Sequence, residues 1–184
     1  MTAFLSGGHN PKGKKIDPGA IGNGNKEADI VSKFRDLVVS KYKKKYPKEI
    51  VITDKDDETL SEYLKRIQTG SGSVVLEFHC DASANKSASG CTAVIGTDSD
   101  RVDRNFATEL VNKTSEILSI KNRGVITEAD SHRGRLGLMR EQGTVALLEL
   151  FFISNQNDLN SFEENKEKLA DALVEIIYKY EKLF

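Results

Sequence analysis

Apolar residues fall in compact runs that alternate along the chain with stripes of helical spacing. The runs "TAFLSGG", "EIVITD", "SVVLEFHCD", "GCTAVIGT" and "TVALLELFFIS" are rich in β-branched and aromatic residues, and several are bounded by Gly, Ser, Asn or Asp. Each predicts a strand. Between them the period shifts to 3.6. Ile30, Phe34, Leu37 and Val38 share one face of a helix from Lys26 to about Tyr46, and Leu60, Leu64 and Ile67 mark a helix from Glu58 to Gln68. A further helix is expected from about Asp100 to Leu118, and the last ends "LADALVEIIYKYEKL". The stretch "KNRGVITEADSHRGRLGLMRE" reads as loop-rich. Strands apolar on both faces and alternating with helices predict a three-layer α/β fold, with a mostly parallel or mixed central sheet and helices on both faces. With no repeat, linker or low-complexity segment, residues 1–184 are expected to form a single domain.

Composition narrows the function classes. A chain of 184 residues can bury a core without metal or disulfide staples. Its net charge of -1 supplies no long-range attraction, so neither nucleic acid nor membrane is an expected partner. No apolar run approaches the ~20 residues of a transmembrane helix. The start "MTAFLSGGHN" lacks the basic, apolar and small-residue segments of a signal peptide, so this chain is not expected to be exported as it stands. Cys80 and Cys91 are expected to be free and buried. The lysines of "KYKKKYPK" complement the C-terminal end of a helix dipole.

Ligands of open α/β sheets gather at the carboxyl ends of strands. His9 ends the first predicted strand, His79 ends the third, and Glu149 lies in an apolar late strand. A histidine at a strand end is commonly a hydrogen-bonded structural residue. A carboxylate inside an apolar strand costs several kcal/mol unless a cation, metal or proton lies beside it. Glu27 falls in a first helical turn behind Asn25, a candidate N-cap, where the helix dipole alone accounts for it. Yet the loop before it carries a Pro18-Gly19 turn and further glycines, and can fold back to aim Glu27 at His9. Two imidazoles and a carboxylate match the three protein ligands of a catalytic zinc, although such dispersed spacing is weak as a motif.

The segments "GGHN", "DPGAIGNGNKEADI", "EFHCDAS", "NRGV" and "LLELFFISNQND", in this order and over nearly the entire chain, resemble the zinc-dependent N-acetylmuramoyl-L-alanine amidases of the type-3 amidase family. The resemblance implies that His9, Glu27 and His79 hold one Zn2+ and that Glu149 is the catalytic glutamate. It implies hydrolysis of the amide between N-acetylmuramic acid and L-alanine in peptidoglycan. Asn10, Arg123, His132, Arg135 and Arg140 are candidate substrate contacts, since stem peptides carry carboxylates and amide carbonyls.

Two positions depart from the family pattern. Phe151 stands where glycine is usual and, by strand alternation, should share the face of Glu149. Cys80 stands where alanine is usual, and alternation turns it away from His79. The short segment after His79 leaves no room for a plugging helix, so an open monomer needing no activator protein is expected. A separate wall-binding domain is not expected. A phage lysin released at lysis, or an exported enzyme whose leader was trimmed, fits equally. The rival readings are a zinc peptidase acting on stem peptides, an inactive wall-binding relative, and a thiol hydrolase built on Cys80.

Overall fold

The computed structural model describes residues 2–131 and 134–183. The chain runs β1 (Thr2–Gly7), the short strands β2 (Ile21–Gly22) and β3 (Asn25–Lys26), α1 (Glu27–Lys45), β4 (Ile50–Thr53), α2 (Leu60–Arg66), β5 (Val74–Asp81), β6 (Cys91–Ile95), α3 (Arg101–Leu118), β7 (Asn122–Thr127), a 3-10 turn (Gly137–Arg140), β8 (Thr144–Phe152) and α4 (Gln156–Glu181). Six strands form the central sheet in the order β4-β1-β5-β8-β6-β7, while β2 and β3 make a separate hairpin. Strands β4, β1, β5 and β8 are mutually parallel. β6 runs antiparallel to β8 and carries β7 parallel beside it, so the sheet is mixed.

Both faces are covered, but unequally. The long helices α1, α3 and α4 bury Phe34, Phe106, Leu110, Phe162 and Leu173 against Leu76, Phe78, Ala93 and Leu148 of the sheet. Each such side chain contributes roughly 1.5–3 kcal/mol on leaving water. Among the described residues, the helical cover of the opposite face is α2 and the 3-10 turn, through Tyr63, Ile67 and Leu138 on Phe4, Val75, Val145 and Leu147. The predicted three-layer α/β architecture is therefore present, with one thick and one thin layer.

Local chemistry sets the helix ends. Thr59 caps α2 in a reciprocal box with Glu62, Asp100 does the same with Asp103 for α3, and Asn155 accepts from Asn157 and Asp158 at the start of α4. The lysines at the end of α1 occupy its last turn, and Lys41 reaches Glu167 and Asp171 of α4 at 2.9 Å.

Three expectations need correction. Asn25 is not the N-cap of α1. Lys26 takes that position without a side-chain bond, because Asn25 belongs to the hairpin and donates to the Asn23 carbonyl. The stretch read as loop contains β7, whose alternation is broken by Gly124 at φ 84° and by a register shift against β6. Phe151 does not share the face of Glu149. Pairing runs His79 to Glu149 but Asp81 to Phe152, so β8 carries one extra residue there. This bulge turns Phe151 into the helical layer, where it stacks on Phe162 at 4.7 Å.

Candidate metal centre

β1 leads through Gly7 and Gly8 into His9, whose backbone holds φ 71°, a conformation sparsely populated outside glycine. A Cβ at Gly8 would overlap the His79 ring, so only glycine lets β1 end so close to β5. The chain then arches over residues 11–16 and closes on itself through paired backbone bonds between Asn10 and Asp17. Gly19, at φ 64°, lies against His9 and Glu27, and a Cβ there would strike both. The β2–β3 hairpin follows, tied to the end of β8 by an Asn23 amide donating to the Ile153 carbonyl at 3.0 Å. It delivers Glu27 as the first residue of α1.

There the carboxylate of Glu27 is locked by backbone N–H donors: Ala20 N to Oε2 at 2.8 Å and Cys80 N to Oε1 at 2.9 Å. Its remaining capacity faces the two imidazoles. His9 Nε2 lies 3.2 Å from Oε2, and His79 Nδ1 lies 2.8 Å from Oε1. The ring centroids are 5.0 Å apart at 77°. One donor atom each from His9, Glu27 and His79 fits within 4.8 Å of the others, the only such grouping of His, Cys, Asp and Glu among the described residues.

Each imidazole also meets a carboxylate on its outer side. His9 Nδ1 is 2.8 Å from Asp17 Oδ2, and His79 Nε2 is 3.0 Å from Glu77 Oε1. Outer partners of this kind fix the tautomer and aim the inner nitrogen, the arrangement common around metal-ligating histidines. Burial alone would lower the pKa of His79, but the bonds to Glu27 and Glu77 prevail and push it up to about 10. Burial likewise opposes ionisation of Glu27, and the two histidines outweigh it, holding the carboxyl well below its usual range. Such a cluster of electron-rich donors is stable only with positive charge among them, whether protons or a cation. Two nitrogens and one carboxylate oxygen suit a zinc-type ion.

Glu149 pairs in register with His79 on the neighbouring strand and with Thr92 on the other side, and it is 4% exposed. The seam formed by His79 and Glu149 separates two cavities on the thin face of the sheet. One, of about 470 Å³, is lined by His9, Asp17, Tyr63, Glu77, His79 and Leu147. The other, of about 490 Å³, is lined by Thr92, Lys121, Arg123, Asp130 and Glu149.

The remaining candidates are dispersed. Arg123 lies over the Phe152 ring at 5.1 Å and faces the second cavity. Asn10 borders the first cavity, but its amide donates to the carbonyls of Lys12 and Lys15 and so clamps the arch. Arg140 is bound to the buried Glu128, and Arg135 is exposed on the loop before the 3-10 turn; neither lines either cavity. His132 lies outside the described residues. Cys80 points into the helical layer, where burial raises its thiol pKa well above the ordinary value, so it offers no thiolate.

Sequence reasoning missed Asp17 and Glu77. Glu77 was detectable as the residue two before His79 on a strand, hence on the same face.

The family model for N-acetylmuramoyl-L-alanine amidase, Amidase_3, matches residues 4–179. The chain is 27% identical to the Bacillus subtilis protein YqiI over 183 residues, covering 97% of this chain and 84% of that protein. It is 23% identical over 180 residues to the Staphylococcus aureus protein "Probable autolysin PH", covering 88% of this chain and only 36% of that one. Its backbone superposes with TM-score 0.77 on the N-acetylmuramoyl-L-alanine amidase AmiC2 of Nostoc punctiforme at 19% identity, covering 98% and 96% of the two chains. The catalytic domain of the CD27L endolysin, which targets Clostridia difficile, gives 0.76 at 20% identity, with 97% of each chain covered. With one family model spanning nearly its full length and these backbones superposing on its own, the chain belongs to the N-acetylmuramoyl-L-alanine amidase family.

Proposed function

We propose that this chain hydrolyses the amide between N-acetylmuramic acid and L-alanine in peptidoglycan, using one zinc ion held by His9, Glu27 and His79. The observation that carries the reading is the convergence of those three donors beside a buried glutamate on the adjacent strand, in a member of an amidase family. Zinc, when bound, supplies Lewis acidity and lowers the pKa of water toward ~7.

The protein's own part is positional and protolytic. Glu149, held rigidly by the β5–β8 register, takes the proton of the attacking water and returns it to the departing alanine nitrogen. The scissile amide lies across the seam, so the two halves of the substrate occupy the two cavities. Arg123 and Lys121 suit the side that receives the carboxylates of the stem peptide. The chain acts as a monomer without an activator. The CwlD amidase from Clostridioides difficile has been solved in complex with the GerS lipoprotein, so assay of the purified chain alone is part of the test.

Glu149→Gln is expected to retain zinc and to lose hydrolysis by at least ~10²-fold. His79→Ala is expected to lose both. Metal analysis of each variant, with mass spectrometry of digested peptidoglycan, makes the check. Release of peptides with L-alanine at the amino end identifies the amidase, whereas cleavage within the stem would identify a peptidase. Full activity in Glu149→Gln would remove the proposed base.

A further inference from the structure

We propose that Glu77 is a positioning residue of the metal centre, holding the His79 ring so that its Nδ1, and not its Nε2, is presented to the ion. The proposal rests on the reading that His9, Glu27 and His79 bind zinc. Glu77 lies in β5 two residues before His79, on the same face, and is 3% exposed. Both of its carboxylate oxygens are committed. Oε1 is 3.0 Å from His79 Nε2, and Oε2 accepts from the Ser6 hydroxyl at 2.9 Å. Ser6 is the direct cross-strand neighbour of Glu77 on β1, so the carboxylate is braced between two adjacent strands.

The consequence for His79 follows from imidazole chemistry. A neutral ring carries one N–H and one lone pair. With an ion among the three donors in place of a proton, the carboxylate fixed at Nε2 keeps the remaining N–H there and leaves the lone pair on Nδ1, the atom facing Glu27 and the His9 ring. The same anion, braced by Ser6, prevents the ring from flipping. On the other histidine, Asp17 occupies the equivalent place, but its side chain is 58% exposed, and solvent dilutes its hold. The two ligands are therefore braced unequally, with His79 the rigid one and Glu77 the cause.

The test is metal binding by the whole chain, read without catalysis. Metal-free wild type, Glu77→Gln and Ser6→Ala are titrated with Zn2+ against a chromophoric chelator, and with Co2+ by visible absorption. Glu77→Gln is expected to bind Zn2+ 10–100-fold more weakly and to shift the Co2+ bands. Ser6→Ala, which keeps the carboxylate but loosens it, should move both in the same direction by a smaller factor. A purely structural role would lower the melting temperature while leaving affinity and spectrum of the folded variant unchanged, and that result overturns the proposal. Should Glu77→Gln fail to fold, Ser6→Ala decides, and wild-type affinity with a wild-type spectrum in it is again fatal. Absence of zinc binding by the wild type would sink the functional reading itself, and this proposal with it.

Discussion

Phe151 shows how one residue can change meaning between sequence and fold. By alternation it belongs beside Glu149 and would fill the pocket; in the molecule it is fully buried in the helical layer against Phe162. Its role is therefore stability. Phe151→Ala should cost about 3–5 kcal/mol in urea unfolding, while the variant that remains folded keeps its substrate preference and its metal. A changed preference with little loss of stability would return Phe151 to the pocket. His9, Glu27, His79 and Glu149 were singled out by the ordered family motifs, and of these only Glu149, a carboxylate in an apolar strand, stood out by its surroundings alone. Glu77 was overlooked although strand alternation places it on the face of His79, two residues on. Asp17 was hidden, as an acid before Pro-Gly looks like ordinary turn chemistry.

At the level of elements, what could be read depended on pattern length. The buried strands β5 and β8 and the long helices announced themselves by sustained period. The β2–β3 hairpin and β7 did not, being too short or too interrupted by glycine and polar residues for either period to emerge. α2 begins two residues later than the expected Glu58, because Thr59 is its N-cap. The cap has consequences. α2 has only seven residues and walls the first cavity through Tyr63, so its stability leans on Thr59 and Glu62. Thr59→Ala should cost about 1 kcal/mol and raise amide exchange locally over residues 60–66. Exchange rising equally in the long helices would show that α2 does not open independently.

Across the whole molecule, the α/β class was legible, whereas the strand order and the unequal layers were not, because they follow from non-local pairing. Within the thick layer, α1 and α4 meet at Glu181, the last residue of α4, which is fully buried and accepts the Tyr42 hydroxyl of α1. Burial pushes its carboxyl upward, against the pull of that hydrogen bond. The folded state thus holds this proton more tightly than the unfolded chain does. The resulting stability is present below the unfolded value of about pH 4 and is lost as pH rises through the folded pKa. Glu181→Gln should therefore be more stable than wild type at pH 7–8, by on the order of 1 kcal/mol or about 2–4 °C in Tm, with the gap closing in acid. A variant melting below wild type at pH 8 would show that the buried charge is compensated. Under the proposed function the lopsided layering has a further meaning, because peptidoglycan is an insoluble mesh. A cross-linked polymer has few free ends to thread into a tunnel, but it can be laid sideways into a trough. The three long helices all pack behind the sheet, and on the proposed function this leaves the side of the metal centre low enough for a taut glycan strand to be met where it lies.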